Sequence, residues 1–222
     1  PLYGMILSDD KVPSTPYGVA INAMERQPWE ILINSEGKRF VREDHESIDH
    51  IEHQIGKQSA HRHWTIMDQR MLNKMSPMIY DWSNERIAKE ADNHAMFKSG
   101  SSIRELAIKT GLHPVNLENT VNDFNSNIKN KQADSFGRLH RPLAIDQGPY
   151  YSVQMSGWSL CSFAGLGVNK NFEVVRPSGE PIKNLYAIGE VIGFGATSGN
   201  AYVNGMGVTP ALTYGRLLGQ RI

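Results

Sequence analysis

Residues Asn184 to Gly219 read N-L-Y-A-I-G-E-V-I-G-F-G-A-T-S-G-N-A-Y-V-N-G-M-G-V-T-P-A-L-T-Y-G-R-L-L-G. Asn184 to Ile188 predict a short buried strand. Gly189 to Gly207 predict a loop carrying six glycines, and Val208 to Leu218 a helix opened by Thr209 and Pro210. Strand, open glycine loop and helix start form a layout that faces a ligand. Glycines let backbone approach a planar ligand closely, and a helix N-terminus offers unpaired N–H groups with roughly half a positive charge. Such an end suits an electron-rich oxygen or ring nitrogen. From composition alone, a glycine-rich turn that packs a terminal helix on a sheet reads equally well.

Upstream, Ile31 to Ile33 and Arg39 to Val41 flank Ser35-Glu36-Gly37, a hairpin with glycine at the turn. Trp64 to Asp68 predict a further strand. Ser101 or Ser102 caps a helix that starts at Ile103, places Glu105 in its first turn and stops at Gly111. Pro114 opens a second helix, in which Val115, Leu117, Val121 and Phe124 recur at helical spacing and predict a core stripe. Asn125 to Asp134 is polar and predicts a solvated stretch. Gly165 to Asn169 with Glu173 to Arg176 predict a strand pair, and Pro177-Ser178-Gly179-Glu180 a turn.

Four of these segments, in order, resemble the fumarate reductase and succinate dehydrogenase flavoprotein family, which includes 3-ketosteroid dehydrogenase-like relatives. Ile31 to Glu43 is similar to its V-N-x-x-G-K-R-F-V-N-E strand pair. Ser101 to Arg138, with its D-S-F-G-R ending, is similar to the helical capping region. Gly148-Pro149-Tyr150-Tyr151 is similar to the strand that returns the chain to the FAD domain. Leu185 to Glu190 and Gly215 to Gly219 match L-Y-A-x-G-E and G-R-x-x-G.

The resemblance implies an α+β chain: a capping domain over residues 1–147 and the C-terminal part of an α/β FAD-binding domain over 148–222. A complete member begins with a strand, a G-x-G-x-x-G turn and a helix that bind the FAD diphosphate, and no such run occurs here. With Pro1 first, no signal peptide, and Ile222 directly after the last helix, the chain reads as a C-terminal fragment whose partner is the missing N-terminal half. The implied cofactor is FAD. Glu190 would accept hydrogen bonds from FAD hydroxyls, since an unpaired carboxylate in so apolar a stretch needs donors. Gly189 accompanies it, and Gly205, Met206, Gly207, Val208 and Thr209 would approach the O2 and N1 edge of the flavin.

At other positions this sequence departs from the family. Tyr202 stands where fumarate reductases carry the arginine that grips a substrate carboxylate. Cys161 stands at their histidine, and Glu46 at the proton-relay arginine of the cap. The arginine expected near the strand that ends in Asp68 finds Leu72, with Arg70 two residues away. A dicarboxylate needs paired cations in a dry site. The expected reaction is therefore hydride transfer between flavin N5 and a carbon–carbon bond of a small molecule other than fumarate. Tyr202 and Cys161 are the candidate catalytic residues, and Tyr150 and Tyr151 are further phenols. The alternatives are a fumarate reductase-like enzyme with relocated arginines, or a fragment unable to hold FAD alone.

Composition narrows the partners. Twenty-three basic and twenty-three acidic residues, spread along the chain, leave no patch for a phosphate backbone. No apolar run reaches the roughly 18 residues of a membrane span. His45, His50, His53, His61 and His63 lie among Glu43, Asp44, Glu46, Asp49 and Glu52, yet no H-E-x-x-H or cysteine pair marks a metal site, and none is expected. A single cysteine suits a reducing, cytoplasmic compartment.

Overall fold

The computed structural model describes residues 26–158, 161–198 and 205–222, together with the backbone of two strands before residue 26. The chain forms two compact units, Pro1–Trp158 and Ser159–Ile222.

In chain order the first unit contains strands β1 (Leu2–Leu7), β2 (Pro16–Ala20) and β3 (Ile31–Ile33), then helix α1 (Ile48–Gly56). Strand β4 (Arg62–Asp68), helices α2 (Gln69–Lys74) and α3 (Asn84–Glu90) and strand β5 (Phe97–Gly100) follow. Helices α4 (Ile103–Thr110) and α5 (Pro114–Lys129) precede strand β6 (Tyr150–Trp158). The sheet runs β2-β1-β6-β4-β3, with β5 also paired to β6, and every pairing is antiparallel. Helices surrounding an antiparallel sheet give the mixed α and β character expected. The strand at the middle is β6, seven of whose residues register against β4 from Arg62↔Ser156 to Asp68↔Tyr150. Because β6 pairs within this sheet, the first unit extends to Trp158.

The hairpin, the capped helix and the proline-opened helix all form. Gly37 turns at φ +80°, and a methyl there would sit 3.1 Å from the Leu117 nitrogen and 3.2 Å from the His113 oxygen. The turn therefore needs glycine for its backbone angle and for the close approach of α5. Ser102 accepts from the Glu105 N–H at 3.1 Å, Glu105 accepts from the Ser101 N–H at 2.8 Å, and Gly111 closes α4 at φ +76°. Pro114 is in the first turn of α5.

Two expectations fail here. Leu117, Val121 and Phe124 are buried, but Val115 is exposed, because two residues along a helix turn a side chain to the far side. The stretch from Asn125 to Asp134 is not solvated at its ends. Asn125 bridges the Ile145 N–H and C=O, at 2.7 and 2.8 Å, and Asp134 is buried in an ion-pair cluster.

In the second unit, β7 (Glu173–Val175) and β8 (Pro181–Tyr186) form a hairpin about Gly179, at φ +89°. A single bridge, Val168↔Val174, joins the preceding strand segment. A 3₁₀ turn at Gly189–Ile192, a short helix α6 (Gly195–Ser198) and helix α7 (Val208–Gly219) complete the unit. The helix expected from Val208 is present, but the strand expected to be buried is not: Leu185 and Tyr186 are exposed. Among the described residues a small cluster, Val174, Ala187 and Ile192 with Val168, Ile182 and Tyr214, packs in this unit.

Candidate cofactor site

The glycine loop and α7 border a shallow recess in the second unit, open to solvent. Gly189, Glu190, Gly193, Phe194, Thr197, Met206, Gly207, Pro210 and Tyr214 line it. Residues 189–198 form one wall, and the start of α7 forms the other. Pro210 and Tyr214 fall four residues apart on α7, so they share one helix face, and Met206 precedes the helix.

Gly205 turns at φ +89° and accepts from the Thr209 N–H at 2.9 Å, which closes the turn leading into α7. No side chain caps this helix, and the N–H groups of Met206, Gly207 and Val208 have no partner among the described residues. The first turn carries the positive end of a 12-residue helix.

Of the residues singled out from sequence, Gly189, Glu190, Met206 and Gly207 come together at the recess. Val208 and Thr209 are exposed beside it, and Gly205 supplies its turn. Glu190 is exposed. Its carboxylate has no hydrogen-bond partner among the described residues. Cys161 is half-buried and does not line the recess. Tyr202 lies outside the described residues. Phe194, Thr197, Pro210 and Tyr214 were missed from sequence, although the four-residue spacing of Met206, Pro210 and Tyr214 was available as a signal.

One wall thus offers an acceptor, Glu190, and the other offers backbone donors at a helix start. A ligand that joins them must donate hydroxyls to the first and present an electron-rich edge to the second. The polyol chain and pyrimidine edge of FAD meet both demands.

The first unit gathers its charges elsewhere. Arg39 holds Glu43 with Nε at 2.8 Å and Nη2 at 2.6 Å, and holds Asp134 with Nη1 at 2.6 Å. Arg138, almost fully buried, donates to the carbonyls of His140 and Glu30 at 2.7 Å each and approaches Glu43 at 3.3 Å. Burial would raise the Asp134 carboxyl, but Arg39 and two backbone N–H donors hold it below its ordinary value. Burial would likewise raise Glu30, and its ion pair with Arg26 outweighs this. The G-K-R-F-V-R-E and D-S-F-G-R motifs, far apart in sequence, are therefore halves of one buried ion-pair network.

The other flagged positions of this unit also resolve. Arg70 donates to Asp68 at 3.1 Å, to the Ala144 carbonyl at 3.0 Å and to Asp146. Leu72 is buried and Glu46 exposed. Tyr151 donates to Gln69 at 2.6 Å, and burial followed by Asp68 and Asp146 raises the Tyr150 phenol. His45 stacks on His50 at 4.1 Å, and its Nδ1 accepts from the Ser47 N–H at 3.0 Å. Among the described residues no three His, Cys, Asp or Glu side chains are grouped to hold a metal, and no helix is long and apolar enough to cross a membrane.

The mixed α and β fold is consistent with an FAD-binding flavoprotein, and comparison with known proteins shows the family. The model of the FAD binding domain family matches residues 13–208, and the chain belongs to that family. A probable fumarate reductase, Ifc3, of Shewanella frigidimarina is 26% identical over 201 residues, covering 90% of this chain and 32% of the relative. The vinyl phenol reductase of Lactiplantibacillus plantarum is 28% identical over 208 residues, covering 85% of this chain and 41% of the relative. The 3-ketosteroid delta1-dehydrogenase structure from Sterolibacterium denitrificans matches the fold with a TM-score of 0.73 at 18% identity. That match covers 98% of this chain and 42% of that one. The chain thus spans about a third to two fifths of the length of these relatives.

Proposed function

We propose that the whole protein is an FAD-dependent oxidoreductase that moves a hydride between flavin N5 and a carbon–carbon bond of a small, uncharged or singly charged substrate. The observation that carries this reading is the recess, which Glu190 and Gly207, at the start of α7, both line. When bound, FAD supplies the hydride chemistry. Glu190 would hold hydroxyls of the cofactor chain, and the N–H groups of Met206, Gly207 and Val208 would stabilise negative charge on the reduced ring edge.

The substrate class follows from the cations. A dicarboxylate needs arginines free to grip it, and Arg70 is instead engaged by Asp68, Asp146 and the Ala144 carbonyl. Glu46 carries the wrong sign for a relay arginine. Tyr202 would offer a phenol where charge is expected, and Cys161 a small pocket-lining group. Vinyl phenol reductase, a relative of comparable similarity, is named for an uncharged aromatic alkene, and that class suits a site depleted of cations. Fumarate reductase relatives support the second reading, a dicarboxylate reductase with relocated arginines.

Val191, Val208, Leu212 and Leu217 are exposed on the second unit, and α7 buries no side chain. We infer that an N-terminal nucleotide-binding half of the same protein covers them, and that residues 1–222 alone hold FAD weakly or not at all. Within that scheme residues 1–147 act as the cap and 148–222 as FAD-domain sequence. The single cysteine suits a cytoplasmic enzyme.

The test is reoxidation of chemically reduced, full-length protein by fumarate, a vinyl phenol or a steroid enone, followed by flavin absorbance. Rapid reoxidation by fumarate alone would overturn the substrate class, and a colourless full-length protein would overturn the cofactor assignment.

A further inference from the structure

Two glycines outside the expected ligand-contacting set meet back to back in the second unit. The segment Ser162–Leu166 runs against Val191–Gly195 through three backbone hydrogen bonds: Phe194 N–H to the Ser162 carbonyl at 2.8 Å, Gly195 N–H to Phe163 at 3.2 Å, and Leu166 N–H to Val191 at 2.9 Å. At the crossing there is no room for a side chain on either strand. A methyl on Gly165 would overlap the Gly193 nitrogen and the Ile192 carbonyl carbon. One on Gly193 would lie 2.6 Å from the Phe163 oxygen and 2.8 Å from the Ala164 carbonyl carbon. Gly193 also sits at φ +86°, whereas Gly165 has no positive φ, so the constraint at Gly165 is one of space alone.

The crossing reaches the recess through one ring. Phe194, the residue after Gly193, is buried, packs edge-on against Phe163 at 5.8 Å, and lines the recess. On its far side, Phe194 Cε2 lies 3.5 Å from the place a Gly207 methyl would occupy. Phe194 is therefore a spacer between the glycine loop and the start of α7. Phe194 and Gly207 line the same recess as Glu190.

We propose that Gly165 and Gly193 are positioning residues for FAD, setting the width of its recess by clamping Phe194 against Gly207. This rests on the cofactor reading above. A methyl at either glycine parts the two segments, shifts Phe194 and separates the two walls that the cofactor must bridge.

The test compares Gly165→Ala, Gly193→Ala and Phe194→Leu with Gly179→Ala in the full-length protein. The readouts are FAD affinity of the apoprotein, visible circular dichroism of the bound flavin, and thermal unfolding. Gly179 turns at φ +89° with nothing within 4 Å of its missing Cβ, so alanine there strains the β7–β8 hairpin and leaves the recess untouched. The expected result is roughly tenfold weaker FAD binding with altered flavin dichroism in the first three variants. For Gly179→Ala, a lower melting temperature with unchanged flavin readouts is expected. Phe194→Leu keeps the crossing intact and removes the spacer, so an unaltered flavin in that variant overturns the proposal even where neither glycine variant folds. Equal loss of binding in Gly179→Ala assigns the effect to general destabilisation and also overturns it. Wild-type protein that binds no FAD overturns the cofactor reading, and this inference with it. Wild-type protein that binds FAD while all three variants match it overturns this inference alone.

Discussion

Arg39 and Asp134 stand 95 residues apart in the chain and meet inside the first unit, Nη1 to Oδ2 at 2.6 Å. The same guanidinium holds Glu43 with two further bonds, and Phe136 stacks over it at 5.0 Å. This pair ties the first hairpin to the segment that follows α5. Each carboxylate is also hydrogen-bonded by backbone, Glu43 by the Leu32 N–H and Asp134 by those of Phe136 and Arg138.

Removing one partner leaves buried charge behind. Arg39→Met is expected to destabilise the first unit by about 3–5 kcal/mol, because Glu43 and Asp134 lose their common cation. Asp134→Asn, which keeps the shape and some hydrogen bonds, should cost less. Denaturant titration of both variants checks the order, and equal stability of Arg39→Met and wild type would contradict it.

Acid should weaken the same unit. His63 is fully buried, and burial lowers its pKa from 6.5 to about 4. The fold keeps it neutral, while the unfolded chain takes up a proton once pH falls below 6.5. Its contribution is thus fully present above pH 6.5, is lost as pH falls toward 4, and levels off below that, about 3 kcal/mol in all. His50, His94 and His140 are lowered in the same direction, chiefly by burial. Denaturation midpoints measured between pH 7 and pH 4 should fall for wild type and fall less steeply for His63→Leu.

Gly37→Ala combines an unfavourable φ with contact against the start of α5. A loss of about 1–3 kcal/mol is expected. Gly111→Ala, at φ +76° with open space around it, isolates the backbone contribution and should lose less. Thermal melts of the two variants provide the comparison.

Glu190→Ala in the full-length protein should weaken FAD binding by roughly tenfold with little change in stability of the apoprotein, since the carboxylate is exposed and holds no other group among the described residues. Fluorescence titration with FAD reads the change. An unchanged dissociation constant would remove Glu190 from the site.

Much of the local architecture was legible in residue order. Ser102, Glu105 and Gly111 bound α4, Pro114 opens α5, and Ser35-Glu36-Gly37 turns the hairpin, because caps and turns satisfy backbone groups within a few residues. The recess was half legible. Glu190 and Gly207 follow from the glycine-rich run, but Phe194 and Tyr214 do not, since nothing local marks an aromatic side chain as a wall.

The burial errors share one cause. Val115 matches the apolar composition of its helix but not its face, and Leu185 sits in an apolar run without covering segments. Exposure depends on which other segments arrive. In the small second unit few do, so a strand that reads as buried lies largely open.

The order of residues was sufficient to fix the helix ends, the turns, the family and its cofactor, all of which depend on short-range chemistry or on motif order. Assembly alone revealed that G-K-R-F-V-R-E and D-S-F-G-R are one ion-pair network, that Arg70 is committed to Asp68 and Asp146, and that Gly165 must cross Gly193. Ion pairing and close packing act across a few ångströms of space regardless of separation along the chain, so neither is written in any single stretch of it.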